Sequence, residues 1–118
     1  MVFDALRFVN TTNVNITNEQ SQVVFPADIF LHPAYPNPFN ASVVLSYRLF
    51  VNEVVKIDIF NMLGYHVKTV INEKQNTGYK KIVWDGTNDK NKTVPTGIYY
   101  YTVSTRSFSE VNKIVLMK

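Results

Sequence analysis

From residue 29 onward the chain alternates apolar and polar side chains with a period of two, in short blocks. Residues 42–49 put Val43, Leu45, Tyr47 and Leu49 on one face, with Ser42, Ser46 and Arg48 on the other. In 54–60, Val55, Ile57 and Ile59 oppose Lys56 and Asp58; in 79–84, Lys80, Ile82 and Trp84 alternate with Tyr79, Lys81 and Val83. Such alternation marks half-buried strands, because successive side chains of a strand point to opposite faces. It predicts strands over 29–32, 42–49, 54–60, 66–71, 79–84, 98–105 and 110–117, and no window carries a helical stripe. Seven short strands at close spacing predict an all-β antiparallel sandwich with Greek-key connections. Its facing sheets would bury Leu45, Tyr47, Ile57, Ile59, Ile82, Trp84, Tyr99, Tyr101 and Val103. At about 1.5–3 kcal/mol per fully buried large side chain, such a core is one of the terms that work against the ordering entropy of the fold.

Breaks between the blocks carry turn chemistry. Gly64 closes Asn61-Met62-Leu63-Gly64, where a tight turn demands positive φ. Gly78 ends Asn76-Thr77-Gly78, Asp85-Gly86 stops the fifth block, and Pro95-Thr96-Gly97 leads into the sixth. The most distinctive interruption is Tyr35-Pro36-Asn37-Pro38-Phe39-Asn40. Each proline fixes φ and removes an amide donor, so neither helix nor central strand runs through it. Asn37 and Asn40 can bond local backbone and hold a turn. This segment is expected to position the first strand and cap one end of the sandwich, with Phe39 packing inward.

Upstream, residues 1–9 are apolar-rich but too few to fold alone, and read as the remnant of a preceding β-domain. Asp4-Ala5-Leu6-Arg7-Phe8 resembles the closing strand of golvesin-like extracellular β-domains. Residues 10–28, rich in Asn, Thr and Gln, read as a linker, and 29–118 as the folded module.

Composition narrows the functional classes. The net charge of +3 comes from scattered lysines, without the basic stripe that nucleic acid requires. The absence of cysteine excludes disulfides and thiolate zinc sites, and no apolar run reaches membrane-spanning length. No signal-peptide h-region opens the chain. His32 and His66, the only histidines, stand without a cysteine nucleophile or a His-x-x-His pattern and read as packing or solvated residues. With four glycines there is no phosphate-cradling loop and no Gly-x-Ser-x-Gly elbow. No catalytic residue, cofactor site or metal site is expected. The run Asp85-Gly86-Thr87-Asn88-Asp89-Lys90-Asn91 places oxygens at alternate positions, as a calcium loop does. Lys90 occupies the place where such a loop wants glycine, and no bidentate glutamate follows, so it reads as a plain connection. Tyr99-Tyr100-Tyr101 invites sugar stacking, but alternation sends Tyr99 and Tyr101 to the core and leaves one ring outside.

In order, the landmarks are the proline segment, residues 55–64 ending in Gly64, residues 78–86 from Gly78 through Trp84-Asp85-Gly86, residues 94–101 with Gly97 and Tyr99, and the closing Lys113-Ile114-Val115-Leu116-Met117-Lys118. Over residues 30–118 this series resembles the type A C-terminal sorting domain of the type IX (Por) secretion system, itself related to the immunoglobulin-like domain of flagellar hook-capping proteins. The resemblance implies an immunoglobulin-like sandwich and a role in export rather than catalysis. Such domains end larger cargo proteins, are recognised by an outer-membrane translocon, and are commonly removed by a sortase-like protease that links the cargo to surface lipopolysaccharide. It therefore implies N-terminal cargo domains on the same chain, a periplasmic passage, and a final cell-surface or extracellular location. Two positions depart from the pattern: Asn91 stands where glycine is frequent, and Lys80 where histidine is frequent. The alternative is a structural or binding module of a surface, carbohydrate-associated or hook-capping protein.

The last strand offers a way for the signal to be read. If 113–118 lies at a sheet edge, its unpaired backbone groups are open to a partner strand, with Lys113 and Lys118 bracketing the apolar Ile114, Val115, Leu116 and Met117. Cleavage is expected in the linker, at 10–28.

Overall fold

A computed structural model describes residues 28–118. The expected remnant at 1–9 and nearly all of the linker lie outside the described residues. The strands are β1 (Ile29–Leu31), β2 (Val43–Leu49), β3 (Glu53–Asn61), β4 (His66–Gln75), β5 (Gly78–Trp84), β6 (Gly97–Ser104) and β7 (Ser109–Leu116). They form two antiparallel sheets, of order β1-β2-β5 and β4-β3-β6-β7, and no helix occurs among the described residues.

The two-residue period accounts for the core. Val43, Leu45, Tyr47 and Leu49 of β2 face Val55, Ile57 and Ile59 of β3 and Tyr99, Tyr101 and Val103 of β6, all buried. Ile114 and Leu116 of β7 complete the layer with Ile29, Phe39 and Val94. Trp84, 1% exposed, forms the centre of one end, with ring centroids 5.6 Å from Phe39 and 5.4 Å from Tyr99. Its indole N–H donates to the Thr87 carbonyl at 2.8 Å, so the buried ring leaves no donor unpaired.

Three features differ from the expected pattern. Ile82 packs against the core but is only half-buried, because β5 is an outer strand of its sheet. β4 continues to Gln75 as a polar outer strand, and two register shifts against β3 set it apart from strict alternation. These irregularities bring Val67, Val70 and Ile71 all against the core. Asp58, expected on the solvent face, is 8% exposed. It accepts a hydrogen bond from Thr69 Oγ1 at 2.6 Å, and His66 Nε2 lies 3.1 Å from the same oxygen.

Candidate recognition site

The proline segment crosses between the two sheets. On one side Tyr35 forms a bridge with Val44 of β2, exchanging backbone bonds of 3.1 and 2.8 Å. Four residues later Phe39 forms a parallel bridge with Leu116 of β7. Phe39 N–H donates to the Val115 carbonyl at 2.8 Å, and Met117 N–H donates to the Phe39 carbonyl at 2.8 Å. The Asn37 amide completes the seam, donating to the Lys113 carbonyl at 3.1 Å and accepting from Val115 N–H at 3.0 Å. The peptide bonds before Pro36 and Pro38 are both cis. Phe39, 2% exposed, packs inward as expected, whereas Tyr35 is 76% exposed.

This arrangement corrects the expected reading of the last strand. β7 does form an edge of its sheet, but its outward backbone groups from 113 to 117 are already paired with Asn37 and Phe39. They cannot receive a partner strand without expelling the proline segment. Ile114 and Leu116 are core residues, Val115 is half-buried, and Lys118 Nζ donates to the Val94 carbonyl at 2.8 Å. Within 113–118, Lys113 and Met117 are the exposed side chains that make no hydrogen bond among the described residues.

The turn landmarks mostly gather at the same end. Val43 pairs Trp84, Asn61 pairs Tyr99, and Gly97 pairs Leu116, so the 61–66 turn, the 85–97 connection and the close of β7 share one pole with the proline segment. Gly78, paired with Leu49, lies at the opposite pole. Gly64 has φ +90°, and the turn it closes is tied by Asn61, whose Oδ1 accepts from Leu63 and Tyr65 N–H at 2.9 and 3.0 Å. That tie leaves Met62, Leu63 and Tyr65 projecting outward, Leu63 to 76% exposure. Pro95, Thr96 and Gly97 flank a shallow cavity beside Met62 and Leu63. Gly86, at φ +73°, lies where an added Cβ would touch Leu116 at 3.5 Å.

The 85–93 connection consumes its own oxygens. Thr87 Oγ1 donates to Asp85 and, with the Lys68 ammonium beside it, holds that carboxyl below its ordinary range. Asn88 Oδ1 accepts from Lys90 and Lys92 N–H, and Asp89 Oδ1 from Thr69 N–H. Asn91 takes the left-handed conformation, φ +62°, that glycine would supply at that place, and its side chain accepts from Lys68 Nζ at 3.2 Å. His66 spans Asp58 and Asp89, with Nδ1 3.5 Å from Asp89 Oδ2, and ties this connection to β4. Lys80 is half-buried. No group of acidic and histidine side chains fit to hold a metal occurs among the described residues. No helix among them is long and apolar enough to cross a membrane.

A family model described as the FlgD Ig-like domain matches residues 51–108. Among solved structures, dimeric latent PorU from Porphyromonas gingivalis superposes with a TM-score of 0.62 at 19% identity, over 80% of this chain and 10% of that one. The fold is immunoglobulin-like. PorZ of the same organism, described as an essential surface component of the type IX secretion system, gives 0.50 at 17% identity, over 75% and 11%. The Pseudomonas fluorescens alkylpurine DNA glycosylase AlkC gives 0.51 at 14%, over 80% and 32%. The chain thus spans about a tenth of the two Porphyromonas proteins and a third of the glycosylase. At such identities the likeness is one of fold, and the fold serves proteins of different function. No curated protein matches the chain.

Proposed function

We propose that the chain is a non-catalytic sorting module that directs larger cargo through the type IX secretion system for outer-membrane translocation and surface attachment. The observation that carries this reading is the gathering of the proline segment, the Gly64 turn, Trp84-Asp85-Gly86, Gly97 and residues 113–118 at one pole or along the seam that leads to it. Part of that set builds the domain, while Tyr35, Met62, Leu63, Tyr65 and Met117 are exposed and have no packing task within it. The fold likeness to PorU and PorZ supports the same system. In this reading the translocon engages the projecting side chains of the pole, the sortase-like machinery cuts within 10–28, and the cargo passes from the periplasm to the cell surface.

The test is a reporter enzyme fused ahead of residues 10–118 and expressed in a bacterium that carries a type IX system. The unaltered fusion should reach the surface or medium. Met62→Ser with Leu63→Ser should hold the reporter in the periplasm while leaving the melting temperature within a few degrees, as exposed substitutions do. Failure of the unaltered fusion sinks the sorting reading; undiminished export of the double variant sinks the pole as its reading surface. Deleting 113–118 cannot serve here, since it removes Ile114 and Leu116 from the core.

The match to the FlgD Ig-like domain favours a second reading, a spacer in a surface or flagellar assembly. An internal position in the parent protein, or a hook-capping region upstream, would decide for it.

A further inference from the structure

The outer face of the smaller sheet carries a pattern that the sorting role does not use. Cross-strand register aligns Phe30, Arg48 and Tyr79 in one row across β1, β2 and β5. In the next row His32 stands beside Ser46, whose partner on β5 is Lys81. The guanidinium of Arg48 lies between two rings, 4.8 Å from the Phe50 centroid and 4.9 Å from that of Tyr79, and its Nη1 donates to the Tyr79 hydroxyl at 3.2 Å. Bracketed in this way, Arg48 remains exposed to solvent. His32 and Tyr79 lie 6.2 Å apart with ring planes tilted by 30°, and the small Ser46 leaves a basin of about 400 Å³ between them, bordered by Lys80 and Lys81.

Charge on this face has one sign. The three strands contain Arg48, Lys80 and Lys81 and no Asp or Glu, whereas β3, β4 and β7 all carry acids. Asp28, next to β1, turns its carboxylate to Ser107 at 3.2 Å. Among the described residues neither Arg48 nor Lys81 meets a carboxylate. Tyr79 is 69% exposed, and Phe30 and Phe50 also show much of their surface. Three open rings thus gather around a cation that meets no carboxylate among the described residues, an exposed patch of the kind that marks an interaction site.

We infer that this face binds an acidic polysaccharide, with Tyr79 stacking on a sugar ring, Arg48 and Lys81 pairing its carboxylates, and Ser46 and His32 bonding hydroxyls in the basin. Flat rings match the apolar faces of sugars, and three strands that carry cations but no Asp or Glu favour a polyanion over a neutral glycan. An acidic peptide would satisfy the cations but would leave the rings and the basin without a matching shape. The inference is independent of the export role and survives its failure.

The test titrates the 118-residue chain with galacturonate oligosaccharides, using calorimetry and backbone amide NMR shifts. The probe should bind, with shifts centred on β1, β2 and β5. Affinity should fall about tenfold for Arg48→Gln and for Tyr79→Ala, as expected when a desolvated charge pair or a stacked ring is removed, and should be unchanged for Lys74→Gln on β4. Uncharged galactose oligosaccharides and a glutamate oligopeptide of equal charge should bind at least about tenfold more weakly. The inference is overturned by no binding at millimolar acidic sugar, by shifts elsewhere, or by equal binding of the neutral sugar. Equal binding of the peptide also overturns it and assigns the face to an acidic protein.

Discussion

Replacing Phe39 by alanine separates the two sides of the proline segment most sharply. The ring is 2% exposed and sits against Trp84, with centroids 5.6 Å apart. The variant keeps the backbone bonds to Val115 and Met117, so the loss is confined to side-chain packing. Removing a buried phenylalanine typically costs about 3–5 kcal/mol, including the cavity left behind. For a domain of this size, each kcal/mol lowers the melting temperature by roughly 4–8 °C, so a drop of at least about 12 °C is expected. Tyr35→Ala, four residues away and 76% exposed, should change stability by less than about 0.5 kcal/mol. Urea unfolding followed by the fluorescence of Trp84, the single tryptophan, measures both. A Phe39→Ala domain within about 1 kcal/mol of the parent would refute the inward anchor, as would a Tyr35→Ala loss of comparable size to the one expected at Phe39.

Other outcomes follow from the same geometry. Gly86→Ala should destabilise by about 1–2 kcal/mol, since a Cβ is disfavoured at φ +73°; Asn91→Gly, read in the same melts, should stay within about 1 kcal/mol of the parent. Burial pushes the Tyr47 phenol up to about 12, and the phenols of Tyr99 and Tyr101 are raised for the same reason. A phenol whose folded pKa is raised stabilises the fold below its unfolded value and loses that contribution as pH climbs. Stability should therefore fall between about pH 10 and 12, with tyrosinate absorbance rising together with loss of the β circular dichroism signal. Asp85 behaves in the opposite sense: its lowered pKa stabilises at neutral pH, and the contribution is lost as pH falls below the ordinary aspartate value of 3.8. Thr87→Val should move the Asp85 carboxyl upward in an NMR titration.

Strand positions and the inward sets of β2, β3 and β6 were legible because a two-residue period is local and each set has one buried face. Phe39 was also legible, as the apolar member of a segment too rigid to hide it elsewhere. The burial of Asp58 was not, because it depends on Thr69 and His66 of β4 reaching over it, and the register shifts in β4 leave no periodic trace. The pairing of Asn37 with Lys113 and Val115 was equally hidden. Those residues are 76 and 78 positions apart, and no pattern within a strand reports which edge another segment will cover. The aromatic and basic face of the smaller sheet has the same origin: Phe30, Arg48 and Tyr79 are unremarkable singly and acquire meaning only through register. Tyr99-Tyr100-Tyr101 drew attention as a run, yet the open rings lie on other strands.

The seam between the proline segment and β7 also sets an order in time. A chain made from its N-terminus exposes Asn37 and Phe39 long before residues 113–117 exist to receive them. Until then the Phe39 amide and the Asn37 side chain have only water as partners, and the flank of Trp84 lacks Leu116 and Ile114 as neighbours in the same core. Closure of the domain is thus deferred until β7 has been made, the expected behaviour of contacts with large sequence separation. A copy that ends early would keep its first strands and lose its lock. Any machinery that grips only the closed form would then pass over copies interrupted before β7, a check on completion of the domain that requires no dedicated residue.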